Sequence, residues 1–300
     1  MTYERTHNAK FDKKHVELLL NLYSKQPWLI YRKEAVMELH SICNSDDEFI
    51  LICELLQRFT YIKGSTFVEF LNNVSSNIKD HWKLPEKSTI IIATTADQAP
   101  DSAQVVIYEL RPALLKNGWY HSPGNVFFNS LDKAFKEMRI RAGTDNINIV
   151  FVDEFIGTGS TVESRIRSTK NHLEHECGIT LYNIKVCVLA SMEPGKAFID
   201  SLGVECYSHT VLKKGIAGYL SGTELEEAYN KMLRLESTLA SEIGDIKLPS
   251  FGYGKVEALY ARQGYSEESI TNTPNSVFPI FWWPKYLDEA MRKTILNRAF

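Results

Sequence analysis

Ile149-Val150-Phe151-Val152-Asp153-Glu154-Phe155-Ile156-Gly157-Thr158-Gly159-Ser160-Thr161 runs from branched apolar residues, through two adjacent acids, into a loop of glycine, threonine and serine. Branched residues in an unbroken run predict a strand buried on both faces. Its C-terminal end carries two carboxylates to a sheet edge, where open α/β folds bind ligands. Gly157 and Gly159 allow a tight cup with backbone N–H groups exposed. Residues 162–176 suit a helix, and its N-terminus behind the cup favours an anion. The hydroxyls of Thr158, Ser160 and Thr161 add donors. The pattern asks for a phosphate in the loop and a vicinal diol beside the acids. It is not a P-loop, since no Gly-Lys-Ser/Thr closes it, nor a G-x-G-x-x-G dinucleotide turn. The alternative is a buried strand that ends in an ordinary polar turn and helix cap.

Outward from this stretch the pattern alternates. Residues 89–95 (T-I-I-I-A-T-T) read as a strand and 102–116 as a helix ended by Asn117-Gly118. Leu131, Ala134, Phe135 and Met138 mark another helix after Asn129-Ser130. Residues 181–190 make a long strand, 194–202 a short helix and 204–208 a further strand. Strands alternating with helices predict an α/β fold with a parallel sheet and right-handed crossovers.

The flanks differ. Before about residue 82 only helices are expected. Val16, Leu19, Leu20 and Tyr23 share a stripe, residues 33–43 make a second helix, and Ser45 and Thr66 open capping boxes for two more. A polar joint at 83–87 then divides the chain into a helical N-terminal domain, 1–85, and an α/β domain, 86–300. The helical domain is either a partner-binding bundle or a structural cap. After His209 the alternation stops, giving a clasp over about 210–300 with helices at 223–243, 255–263 and 287–298. Within it, Asn272-Thr273-Pro274-Asn275 is turn chemistry, and Phe278-Pro279-Ile280-Phe281-Trp282-Trp283-Pro284 is too apolar for a free loop. Phe281 and Trp282 could form a wall for a nucleobase, with Asn272 and Asn275 offering amides to its edges. Equally, the segment could seal the chain's end onto the core.

The 300 residues are 44% hydrophobic, enough for one or two cores. The net charge of -3 predicts no non-specific attraction to nucleic acid, although a local basic patch stays compatible with it. Five dispersed cysteines without a C-x-x-C suit a reducing compartment. No apolar run reaches membrane-spanning length and no apolar signal core opens the chain, so a soluble cytoplasmic protein without a membrane partner is expected. His172 and His175 sit three apart and could share a metal, but no third ligand accompanies them; ordinary polar-face residues are the simpler expectation.

The segment 149–161 resembles the sugar-phosphate signature of type I phosphoribosyltransferases: an apolar strand, paired acids, two residues, then a T-G-x-T loop. The resemblance implies a type I phosphoribosyltransferase core of parallel sheet. It implies that Asp153 and Glu154 hold the ribose 2′- and 3′-hydroxyls. It also implies that Gly157, Thr158, Gly159, Ser160 and Thr161 hold the 5′-phosphate of phosphoribosyl diphosphate or a nucleotide, with Mg²⁺ arriving on the substrate. The loop after the first strand would then grip the diphosphate through Thr94, Thr95 and Ser102, with Asp97 or Asp101 able to take a metal-bound water, unless Asp101-Ser102 simply N-caps the next helix. That family commonly carries Lys or Arg in this loop, whereas none stands here between Ser88 and Glu109. A hood-like loop is expected near 118–125, where His121 is either a proton carrier or a surface histidine.

With the helical front end and the C-terminal segment included, the chain looks like divergent phosphoribosyltransferase-like proteins of bacterial conflict systems, some encoded with retron reverse transcriptases. That subgroup resemblance implies an antiviral effector. Its expected partners are a reverse transcriptase and nucleic-acid complex or other defence proteins, and a homo-oligomer is compatible with it. A catalytically silent subunit that senses a ribose phosphate is the alternative to an enzyme.

Overall fold

The computed structural model describes residues 13–95, 101–121, 126–141 and 146–299. In chain order, the first elements are α1 (Lys13–Lys25), α2 (Lys33–Ser41), α3 (Asp46–Gln57), β1 (Thr60–Ile62), α4 (Gly64–Ser76), β2 (Thr89–Ala93), α5 (Ser102–Lys116) and β3 (Phe127–Phe128). Next come α6 (Leu131–Ile140), β4 (Ile147–Ile156), α7 (Ser160–Asn171), β5 (Tyr182–Met192), α8 (Glu193–Ser201) and β6 (Glu205–Leu212). The chain ends through α9 (Gly222–Glu236), β7 (Glu242–Ile243), β8 (Ile246–Lys247) and β9 (Tyr260–Arg262).

The chain divides into two compact units. The first, Gly64–Leu212, is built on a five-stranded sheet in the order β3-β2-β4-β5-β6 with every pair parallel. The central strands β2, β4 and β5 alternate their side chains between two covered faces. On one face Ile90, Ile92, Ile149, Phe151, Val186 and Val188 meet Ala134 and Met138 of α6, Val162 and Ile166 of α7, and Ile199 of α8. The other face lies under α4 and α5, which pack on each other and on β5, β2 and β4. Two-sided burial is the reason the central strands read as continuous apolar runs.

Strand order sets the position of the site. From β2 the chain moves outward to β3, then crosses back to place β4 on the other side of β2. The direction of winding therefore reverses between β2 and β4. In open α/β sheets the crevice at that reversal, beyond the C-terminal strand ends, is where ligands bind.

The second unit joins the segment up to Lys63 with that from Lys213 onward. Its parallel ribbon pairs β1 with β9. Its core is aromatic: Trp28 stacks on Tyr61 at 4.9 Å, and Phe59 meets Phe281 edge-on at 5.2 Å. Ser45 caps α3 through a bond from the Glu48 amide. The Glu48 carboxylate closes on the Asn44 amide at 2.6 Å, one residue earlier than a capping box specifies. A two-pronged pair from Arg234 to the same carboxylate ties α9 to α3.

Several sequence expectations are corrected. The α/β unit begins at Gly64 rather than 86, because α4 packs against α5. The segment from Lys213 belongs with the N-terminal helices. The helix expected over 162–176 ends at Asn171 and passes into a wider π turn, His172–Glu176. The helix expected over 223–243 stops at Glu236. Residues 255–263 contain β9 instead of a helix, because Lys255 and Glu257 take positive φ and break the helical path. Residues 287–298 form no helix either. There the Tyr286, Arg292 and Leu296 amides bond to the carbonyls of Ala290, Pro284 and Phe281, and Glu289 takes φ +64.

Candidate active site

At the reversal point, Thr94 follows β2 and Asp153 stands near the end of β4. The Thr94 amide donates to the Val152 carbonyl at 3.2 Å, extending the ladder by one residue. Its hydroxyl donates to Asp153 Oδ2, while Asp153 Oδ1 accepts from the Glu154 amide at 2.6 Å. Burial pushes the Asp153 carboxyl up to about 7, against the downward pull of those two bonds; the nearby Asp101 and Glu154 carboxylates add smaller upward pushes. Asp153 is only partly exposed as a residue, yet its carboxyl is enclosed enough for desolvation to dominate.

The two acids do not act alike. Asp153 lies in register with Val188, on the face of Phe151 and the α6–α8 layer. Pleating sends Glu154 to the opposite face, where it is 1% exposed. The arrangement leaves Asp153 partly exposed at the reversal point and shuts Glu154 into the packing, so a shared grip of both acids on one diol does not fit this burial.

The cup is formed by residues 157–161. Gly159 takes φ +86 and stands at the N-cap of α7, and its carbonyl accepts from the Glu163 amide at 2.9 Å. The Thr158 and Ser160 hydroxyls lie 2.9 Å apart, and the Ser160 amide reaches Thr158 Oγ1 at 3.3 Å. Ser160 and Thr161 are exposed at the start of a twelve-residue helix. The Thr158 and Ser160 hydroxyls thus stand together at the positive end of the helix dipole.

Thr94 and Thr95 are buried. Thr95 donates to Asp101 Oδ1 at 2.9 Å, and the same oxygen caps α5 by accepting from the Gln104 amide at 3.2 Å. Ser102, the first residue of α5, is partly buried. Asp97 lies outside the described residues. Among those that are described, no group of three or more His, Cys, Asp or Glu could hold a metal.

Two contributors to this cleft are not evident from spacing. Arg165, one turn into α7, reaches back so that its Nε donates to the Thr94 carbonyl at 3.4 Å. Its only sequence signal is its i+4 relation to Thr161, which places both on one helix face. Gly195, in the first turn of α8, sits against the loop: a Cβ there would stand 2.1 Å from the Gly157 oxygen. A glycine inside a helix costs about 1 kcal/mol relative to alanine, and that cost is the signal of close packing.

The expected nucleobase wall is corrected. Phe281 and Trp282 lie in the core of the second unit, with Trp282 Nε1 donating to the Val277 carbonyl at 2.9 Å. They form the hydrophobic clasp. Asn272 Oδ1 accepts from the Ala299 amide at 2.8 Å, and the Asn275 carbonyl from the Tyr253 amide at 2.8 Å. His172 is buried, stacked on Phe135 at 4.0 Å, rather than on a polar face. Of the hood segment, His121 is described and exposed, with its amide donating to Glu86 Oε2 at 3.2 Å; residues 122–125 lie outside the description. Burial pushes the thiols of Cys43, Cys53 and Cys206 up to about 12, so none is a thiolate nucleophile at neutral pH.

The five-stranded parallel sheet, with an acid and a glycine-threonine-serine loop at its reversal point, is an α/β fold of the phosphoribosyltransferase-like kind. The chain belongs to the PRTase-CE family, whose model matches residues 42–292. Among solved structures, orotate phosphoribosyltransferase from Aeropyrum pernix is similar at 14% identity, covering 49% of this chain and 69% of that one with a TM-score of 0.29. No curated protein matches the chain. Among the described residues, no helix is long and apolar enough to cross a membrane.

Proposed function

We propose that the cleft binds phosphoribosyl diphosphate with Mg²⁺ and breaks the bond between ribose C1 and the diphosphate. The bonding electron pair leaves with the diphosphate. A nitrogen nucleophile or water then bonds to C1 and gives up a proton. The observation that supports this reading best is the Thr94–Asp153 bond beside the 157–161 cup, at the sheet's reversal point. Asp153, once ionised, accepts from a ribose hydroxyl and steadies positive charge developing on the ring. The cup fixes the 5′-phosphate, so most of the catalytic effect comes from orientation. Mg²⁺ supplies charge neutralisation on the leaving diphosphate. Calorimetric titration with phosphoribosyl diphosphate, with and without Mg²⁺, tests binding, and diphosphate release tests turnover. Absence of heat at high protein concentration defeats the proposal.

The biological setting we propose, an antiviral effector acting with a reverse transcriptase and nucleic-acid complex or other defence proteins, rests on the subgroup resemblance of the chain's two ends. Purification alone and with its genomic neighbours tests that assembly. A second reading is favoured by the burial of Glu154 and by the lack of Lys or Arg between Ser88 and Glu109. On that reading the same cleft senses a ribose phosphate without chemistry. Diphosphate release that Asp153→Asn abolishes excludes it.

A further inference from the structure

The loop after β2 has no cation of its own: residues 89–108 contain neither Lys nor Arg. The carboxylates of Asp101 and Asp153 repel each other at the end of β2, so a ligand with several negative charges meets repulsion there unless another element supplies positive charge. Arg165 does so. It is part-buried on α7 and crosses to the end of β2, 71 positions away in sequence, where its Nε bonds the Thr94 carbonyl. The Thr94 hydroxyl in turn bonds Asp153. The guanidinium is therefore tied through a single residue to the acid at the cleft.

Among the described residues, its Nη groups have no hydrogen-bond partner. Arg139, Arg141, Arg167 and Arg234 each pair with a glutamate. Among the described residues no carboxylate pairs with Arg165, and the bond to Thr94 uses only Nε. A guanidinium anchored by Nε keeps its two Nη groups in a plane, the fork that matches two phosphate oxygens. Anchoring on a main-chain carbonyl also limits the entropy lost when a ligand arrives.

We infer that Arg165 binds the diphosphate arm of the ligand, so that the positive charge comes from the helix behind the sugar-phosphate cup and not from the loop after β2. The inference rests on the proposed ligand and adds the residue that distinguishes a C1-diphosphate from a free C1-hydroxyl. Arg165 binds and positions; it takes no proton.

Titrate the full chain with phosphoribosyl diphosphate, ribose 5-phosphate and inorganic diphosphate, each with Mg²⁺, and repeat with Arg165→Ala and Arg165→Lys. The expected result is a loss of about tenfold or more in affinity for phosphoribosyl diphosphate in Arg165→Ala, since charge-assisted bidentate bonds are the strong ones. Ribose 5-phosphate affinity stays within about twofold, which also certifies the fold. Arg165→Lys, a point charge without the fork, falls between; it carries the test alone if the alanine variant does not fold. Unchanged phosphoribosyl diphosphate affinity, or equal losses for both sugar ligands, overturns the role of Arg165 and leaves the proposed ligand standing. Wild-type protein that binds inorganic diphosphate but neither sugar overturns the proposed ligand itself.

Discussion

Gly195 faces the Gly157 carbonyl so closely that a methyl group on it would stand 2.1 Å from the oxygen. Both partners are main chain, so no side-chain rotation relieves the clash. Gly195→Ala must displace either α8 or the cup. Overpacking of this kind costs about 1–3 kcal/mol. The expected outcome is a lower melting temperature together with loss of ligand affinity, because the cup's N–H groups move. Gly64→Ala, where nothing lies within 4 Å of the added carbon, is the control: it leaves affinity unchanged and does not lower the melting temperature. Equal melting temperatures and affinities for the two variants would show that the close approach has no role in shaping the cup.

On the proposed reading, Asp153 makes ligand binding depend on pH. Its folded value is about 7, raised mainly by burial from an ordinary value of 3.8. Below pH 7 it is largely protonated, and a ribose hydroxyl needs it ionised to donate. Affinity therefore rises with pH up to about 7 and then levels, and binding at pH 6 releases a proton. Calorimetry at pH 6 in two buffers of different ionisation enthalpy reads that proton directly. Asp153→Asn removes the release and the affinity together. Because it also removes a buried charge, it raises stability at pH 8 relative to wild type.

The sheet unit is legible in the sequence because local pattern and tertiary role agree there. Residues 102–116 are helical as spacing predicts, since Asp101 caps them, one stripe is apolar, and Asn117-Gly118 ends them. Strand β4 is legible because burial on both faces demands an unbroken apolar run. The chain's end is not, because its order is non-local. Arg292 donates to the carbonyls of Trp283 and Ile280, and no periodicity encodes such bonds. Positive φ at Phe251, Lys255, Glu257 and Glu289, none of them glycine, likewise reflects tertiary override. Of the site, the cup and acids are contiguous and could be read. Arg165 joins Thr94 only through the fold.

The clamp between Arg234 and Glu48 holds the two chain segments of the second unit together. Both guanidinium prongs engage the carboxylate, and its Nη1 and Nη2 also donate to the Ile42 carbonyl at 3.1 Å. Glu48 is 6% exposed, so Arg234→Ala leaves a buried carboxylate with the Asn44 amide as its remaining donor among the described residues. The expected loss is about 3 kcal/mol by chemical denaturation. The double variant Arg234→Met with Glu48→Leu recovers most of it, since the stranded charge is then gone. A double variant as unstable as the single one would place the effect in packing rather than charge.

Glu236 sets a second pH response, on stability alone. It is 2% exposed, accepts from the Phe251 amide at 3.1 Å and from the Ser250 hydroxyl at 2.5 Å, and burial raises it to about 7 despite those bonds. Unfolded, it ionises near 4.5. Between these values the folded chain holds a proton that the unfolded chain has lost. Stability from this group is therefore complete below about pH 4.5, falls as pH rises and levels above about 7, with a maximum slope of about 1.4 kcal/mol per pH unit. Glu236→Gln cannot ionise and keeps an acceptor for the Phe251 amide. Denaturant titrations from pH 5 to 8 should show wild-type stability declining more steeply than that of the glutamine variant, with the two curves running parallel above pH 7. Parallel curves from pH 5 upward would place the carboxylate in a better-solvated setting than this burial describes.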